Sequence, residues 1–203
     1  MKVLVVGSGG REHTLVWKIA QSKLVDKVYC ATGNGGIGEL AECVDIAADD
    51  IEGLLNFALN NNIDLTVVGP EVPLSLGIVD CFEENGMRIF GPGGKGAMLE
   101  SSKAFSKDFM IRNKIPTAAY KVYYEPEEAK TGLEDFGYPV VIKADGLAAG
   151  KGVIIAQTRE EAVSAIDDML TVKKFGDAGS RIIVEEFLRG KEASILAFMD
   201  GKV

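Results

Sequence analysis

Short apolar runs that end in glycine alternate with helix-period stretches through the first hundred residues, and few folds accommodate that pattern. Residues 2–6 form a continuous apolar run leading into Gly7, Ser8, Gly9 and Gly10, and Leu15, Val16, Ile19 and Ala20 then recur at helical spacing. Further strand-like runs occupy 27–31, 43–47, 65–68 and 88–90, the last two running into Gly69-Pro70-Glu71 and Gly91-Pro92. Asp49 or Asp50 can cap a helix whose apolar face is Ile51, Leu54, Leu55, Ala58 and Leu59. Strand–helix alternation of this kind specifies a parallel, doubly wound sheet, which binds ligands in the loops after its strands. The loops at 7–10, 69–71 and 91–94 are therefore expected on one edge. The 24 glycines exceed the usual share of about 7%, and they cluster at these strand ends.

Near residue 100 the pattern changes. A single helix is expected over 101–113, broken before Pro116, followed by a strand at 119–123 and a helix over 127–136. Strands at 140–144 and 153–156 flank a glycine-rich loop, then come a helix over 160–170 and strands at 181–187 and 193–199. Asp200, Gly201 and Lys202 signal a hairpin turn whose second strand would lie past Val203, so the chain is expected to be a fragment of a longer protein.

Composition removes several function classes. His13 is the single histidine, so a multi-histidine metal site is excluded, and Cys30, Cys43 and Cys81 are too scattered for a disulfide framework or zinc ribbon. Reduced thiols, the lack of a signal-like N-terminus and the lack of a long apolar run point to a cytosolic protein without membrane segments. Acidic side chains outnumber basic ones 30 to 22, which argues against binding nucleic acid duplexes. The imbalance sits in residues 1–100, which hold 14 of the acidic groups and 7 of the basic ones, so the second half keeps the cations a polyphosphate needs.

Two stretches carry chemistry. Gly7, Gly9 and Gly10 let a phosphate approach the backbone beside a helix N-terminus. A dinucleotide fingerprint would need a third glycine where Glu12 stands, and an acidic residue where the second strand reads Cys30-Ala31-Thr32. A small phosphate-bearing substrate fits better than a dinucleotide. The run Gly91-Pro92-Gly93-Gly94-Lys95-Gly96 lacks the spacing and the Lys-Ser/Thr ending of a Walker loop, and reads as a strand-to-helix connection. The second stretch is Lys143 on a strand, then a glycine loop holding Lys151, then a return strand. A strand fixes the ammonium of Lys143, and the loop can fold over phosphates and exclude water. Further on, Glu185 and Glu186 precede Phe187 and Leu188, with Glu192 beyond: an apolar slot with carboxylates, suited to adenine and ribose.

The string from Lys143-Ala144-Asp145-Gly146 through Gly150-Lys151-Gly152, with Gly7-Ser8-Gly9-Gly10-Arg11-Glu12-His13, Gly69-Pro70-Glu71, Ser101-Ser102-Lys103-Ala104-Phe105 and Glu185-Glu186-Phe187-Leu188, resembles the glycinamide ribonucleotide synthetase family of ATP-grasp ligases. The resemblance implies an α/β chain. An N-terminal doubly wound parallel-sheet domain (1–100) leads through a connecting helix (101–116) to an α+β ATP-grasp lid (117–190), with 191–203 opening a truncated core. It further implies an ATP-dependent ligation of glycine to phosphoribosylamine through glycyl phosphate, in purine biosynthesis. Lys103 and Lys143 match the catalytic phosphate-binding lysines, and Gly146, Gly150, Lys151 and Gly152 match the lid loop. Glu185, Glu186, Phe187 and Leu188 match the adenine segment, Glu192 the ribose-binding acid, and Gly9, Gly10, Arg11 and Glu71 the substrate loops. The family's Mg²⁺ (or Mn²⁺) ligands are expected past Val203, so no metal site and no turnover are expected of these residues alone. The expected partners are the two small substrates, with no nucleic acid or membrane; the oligomeric state is left open. Carboxyaminoimidazole synthetase or biotin carboxylase types, a dinucleotide oxidoreductase and a non-catalytic nucleotide-binding module remain as alternatives.

Overall fold

Each of the five apolar runs of the first hundred residues becomes a strand of one parallel sheet. The computed structural model describes residues 1–148 and 151–197. Strands β1 (Lys2–Gly7), β2 (Lys27–Thr32), β3 (Glu42–Val44), β4 (Leu65–Val68) and β5 (Ile89–Phe90) lie in the order β3-β2-β1-β4-β5. All four pairings are parallel, so the loops after β1, β4 and β5 do share one edge. The chain winds outward from β1 in both directions, which makes the crevice between the ends of β1 and β4 the point where strand order reverses.

Side chains alternate across this sheet, yet both faces are buried. Leu4 and Val6 pack with Tyr29, Ala31, Leu54, Ile78 and Phe82, while Val3 and Val5 pack with Val16, Cys30, Ile37 and Val67. Helices α1 (Gly10–Ile19), α2 (Ile51–Asn61), α3 (Glu71–Ser75), α4 (Ile78–Glu84) and α5 (Gly94–Ser101) accompany it. Asp50 caps α2 by accepting from Gly53 N at 2.9 Å, and Asn62 ends it in a left-handed conformation.

The second sheet is antiparallel, in the order β6 (Tyr120–Tyr123), β9 (Ile182–Glu186), β7 (Val140–Ala144), β8 (Val153–Ala156). Helices α7 (Pro126–Gly132) and α8 (Arg159–Ile166) cover one face only. Val140, Ile142, Ala144, Ile182 and Val184 meet Ala129, Ala162, Ala165 and Ile166 there. The intervening positions, including Lys143 and Glu185, fall on the other face.

Several expected elements differ. The helix expected over 101–113 is α6 (Lys103–Arg112), which starts two residues later because Ser102 is extended and its hydroxyl accepts from Phe105 N at 3.1 Å, capping α6; α5 ends just before it at Ser101. The strand expected over 43–47 stops at Val44, since its partner β2 has only Thr32 left to offer. The helix expected over 160–170 widens after Ile166, where Val172 N bonds to Asp167 O at 2.9 Å. Residues 193–197 form no strand: no described strand pairs with them, and Ile195 and Leu196 are 96% and 90% exposed. The rest of that expected strand and the turn signal at 200–202 lie outside the described residues. Helices α3 and α4 were not anticipated.

Candidate functional site

The uncovered face of the antiparallel sheet forms one wall of a cavity of about 380 Å³, closed by α5, α6 and the loop after β7. Lys103, Lys107, Lys143, Gly152, Glu71 and Glu185 line it, among the apolar side chains of Leu99, Met110, Leu147, Val153 and Ile183. Strand alternation accounts for two of these. In the β7–β9 ladder Lys143 faces Ile183 and Val141 faces Glu185, so Lys143 and Glu185 are diagonal neighbours on the same face. The Glu185 side chain is 5% exposed and ion-paired through one oxygen with Lys143 and through the other with Lys107.

Lys103 arrives from the first turn of α6. Its Nζ donates to Asp145 O at 3.3 Å and Gly146 O at 3.0 Å, tying the helix to the start of the loop. Burial lowers the Lys103 pKa by penalising the ammonium; Asp145 opposes this and Lys143 adds to it. The Asp145 carboxylate is itself buried. It accepts from Ala104 N at 2.6 Å, Ser102 Oγ at 3.1 Å and Arg181 Nε at 2.7 Å. Arg181 also donates to Ser102 Oγ at 3.0 Å; its pKa is raised, first by the Tyr124 hydroxyl and then by Asp145. Two segments distant in sequence, 102–104 and Arg181, thus converge on one carboxylate.

The loop after β1 has a different logic from the one its glycines suggest. Glu12 is buried beneath it and accepts from Gly9 N at 2.6 Å. A Cβ on Gly69 would stand 2.2 Å from Glu12 Oε1, and one on Gly7, whose φ is +125°, would stand 2.6 Å from Glu12 Cγ. Gly7 and Gly69 make room for the glutamate, whereas Gly10 has open space around it. Arg11, largely exposed, donates to Glu71 Oε2 at 3.3 Å, and Glu71 reaches the cavity from the start of α3.

The site residues read from the sequence therefore divide. Lys103, Lys143, Gly152, Glu185 and Glu71 meet at the cavity, the carbonyl of Gly146 holds Lys103, and Arg11 joins through Glu71. Glu186 points to the opposite face and accepts from Ala119 N at 3.1 Å. Phe187, Leu188 and Glu192 follow the end of β9, exposed, and are not among the cavity's lining residues. Lys151 is exposed, Gly9 and Gly10 lie at the first sheet's edge, and Gly150 is outside the described residues. Sequence reasoning missed Lys107, Asp145 and Arg181. Lys107 sits one helical turn after Lys103 on α6, a signal that was available; nothing local pairs Asp145 with Arg181.

Among the described residues no three His, Cys, Asp or Glu side chains stand together as a metal site, and both oxygens of Glu185 are engaged by lysines. Among the same residues no helix is long and apolar enough to cross a membrane.

Residues 1–100 match the family described as "Phosphoribosylglycinamide synthetase, N domain", and residues 101–203 match "Phosphoribosylglycinamide synthetase, ATP-grasp (A) domain". The chain is 56% identical over 204 residues to the phosphoribosylamine–glycine ligase of Escherichia coli (strain K12), covering 100% of this chain and 48% of that protein. Among solved structures it resembles phosphoribosylamine–glycine ligase from Thermotoga maritima, with TM-score 0.78 and 30% identity over 94% of this chain and 45% of that one. The biotin carboxylase domain of Hydrogenobacter thermophilus 2-oxoglutarate carboxylase, solved with ADP, magnesium and bicarbonate, shares the fold at TM-score 0.72 and 24% identity, over 92% of this chain and 44% of that one. The chain spans about half the length of the curated relatives it matches.

Proposed function

The chain belongs to the phosphoribosylglycinamide synthetase family, and on that premise we propose that it supplies the phosphate-binding wall and one substrate crevice of a cytoplasmic ligase that joins glycine to 5-phosphoribosylamine at the expense of ATP. The observation that carries the reading is the convergence of Lys103 and Lys143 on one cavity, Lys103 held by the carbonyls of Asp145 and Gly146 just after β7 and Lys143 by Glu185 on β9. In this reading 1–100 is the substrate domain, 101–116 the connection, 117–190 the nucleotide lid and 191–203 the start of the core.

The transferring phosphoryl group gathers negative charge on its oxygens as glycine's carboxylate attacks it. Fixed ammonium groups lower the energy of that charge more than mobile ones, because they need not reorganise as it develops. Lys103 and Lys143 take this role. The loop running from Gly146 to Gly152 closes over the nucleotide, because the acyl phosphate must be kept from water until the amine displaces phosphate. Adenine lies along Glu185, Glu186, Phe187 and Leu188, the ribose hydroxyls meet Glu192, and Gly150 and Lys151 belong to the closing loop. Gly9, Gly10, Arg11 and Glu71 serve phosphoribosylamine.

The divalent cation used by such ligases does not fit the described residues. Both oxygens of Glu185 are ion-paired with lysines, and the cavity's other acids, Glu71 and Glu100, form no metal-holding group with it among the described residues, so no step is assigned to the cation.

The test is glycine- and phosphoribosylamine-dependent phosphate release in a chain extended to the length of its relatives. Lys143→Met, which keeps the stem and drops the charge, should lower turnover about a hundredfold or more at saturating ATP, with a smaller loss of nucleotide affinity. Turnover close to wild type in a folded variant would remove Lys143 from the mechanism. The 203 residues alone should show no turnover.

A further inference from the structure

Lys107 belongs to no part of the reading above, yet its side chain is only 11% exposed and lines the same cavity. An ammonium has three donors. Those of Lys107 face three acceptors: Thr117 Oγ1 at 2.9 Å, Ala118 O at 3.4 Å and the inner carboxylate oxygen of Glu185; its Nζ also stands 5.5 Å from the Tyr120 ring centroid. Its charge is thereby turned toward Glu185 and away from the open side of the cavity. Lys143 differs. Glu185 is its ion-pair partner among the described residues, and its side chain is 28% exposed.

Charge bookkeeping within this cluster gives Lys107 a purpose. A buried carboxylate paired with one lysine cancels that lysine's charge, and its attraction for an anion is largely lost. With two lysines on one carboxylate the cluster keeps one net positive charge, carried on the more exposed ammonium. The other acids of the cavity act elsewhere: Glu71 pairs with Arg11, and Glu100 lies within electrostatic reach of Lys103. We propose that Lys107 is a positioning residue which satisfies Glu185, so that Lys143 meets a nucleotide polyphosphate as an uncompensated cation. The inference rests on the nucleotide reading of the cavity and goes beyond it.

A strap that merely fastened α6 to the second sheet would also explain the contacts, and phosphate number separates the two roles. Affinities of ATP, ADP, AMP and adenosine are measured by calorimetry on the chain extended to the length of its relatives, for wild type, Lys107→Met, Lys107→Gln and Lys107→Arg. Lys107→Met should weaken ATP about tenfold, ADP less, and adenosine by no more than about twofold. Lys107→Gln removes the charge but keeps a polar donor on α6, and should show the same gradient even if the methionine variant does not fold. Lys107→Arg should stay within about threefold of wild type for all four ligands. Equal weakening of all four ligands by the neutral variants, or unchanged ATP affinity, overturns the proposal and leaves the nucleotide reading standing. A wild-type protein that binds adenosine as well as ATP overturns both.

Discussion

The two sheets of this chain use strand alternation to opposite ends. In the parallel sheet neighbouring positions such as Leu4 and Val5 enter different cores, so the central strand β1 presents no side chain for chemistry from its Val3–Val6 stretch and polar function moves to the loops at the strand ends. In the antiparallel sheet helices cover one face alone. Ile142 and Val184 go to the core, and Lys143 and Glu185, one residue away on the same strands, go to the cavity. A sheet buried on both sides can hold a ligand only at its rim, whereas one buried on a single side can build charged groups into a rigid wall.

Truncations should break this contrast most visibly. In the first sheet Leu4→Ala and Val5→Ala should both destabilise, Leu4→Ala by about 2–5 kcal/mol and the smaller valine by less. In the second, Ile142→Ala should cost about 2–5 kcal/mol, while Ile155→Ala, on the uncovered edge, should fall within about 0.5 kcal/mol of wild type. Urea denaturation of each variant measures this, and equal costs at Ile142 and Ile155 would refute the single-sided description.

A smaller loss is expected where the two regions join. Asp145→Ala strips Arg181 and Ala104 N of their acceptor and should cost about 2 kcal/mol, less than a fully buried pair because Arg181 is partly exposed. Asp145→Asn, which keeps an acceptor, should recover part of it. Thermal melting distinguishes the two variants, and identical melting temperatures would mean that charge at 145 is irrelevant.

The smallest effect concerns Cys30, fully buried in the parallel sheet, where its thiol donates to Gly7 O at 3.3 Å. Desolvation pushes its pKa up to about 12 from the usual 9.0. The folded thiol keeps its proton where the unfolded one loses it, so this contribution to stability is complete below pH 9.0 and shrinks as pH rises toward about 12. Iodoacetamide at about pH 8 should label the exposed Cys43 and spare Cys30 until the protein unfolds, as read by peptide mass spectrometry. Labelling of both at one rate would show that the sheet opens locally.

Long-range partners mark where the sequence ceased to be readable. Strands such as Leu65–Val68 and Val140–Ala144 were legible to the residue, because an apolar run between turn residues has one reading. The start of α6 at Ser102 was not, since a serine in the first turn of a helical pattern is fixed as the cap only once Asp145 and Arg181, far along the chain, gather around it. Among the carboxylates, Glu185 and Glu186 looked equivalent as a pair. Alternation from Ile182 separates them, which required knowing that one face was covered. Lys143 stood out through its strand and loop, and Lys107 did not, because its meaning depends on a glutamate in another element.

The glutamate beneath the first glycine loop has a bearing on how this chain can change over time. The nearest atoms that a methyl group at position 69 would meet all belong to Glu12, so Gly69→Ala is obstructed while that side chain is in place and eased once it is shortened. Shortening Glu12 first, however, releases the Gly9 N–H it holds. The two positions are epistatic by geometry: each route to the double substitution passes through an intermediate with its own defect, one steric and one an unpaired amide, and the less damaging intermediate sets the order in which the pair can drift.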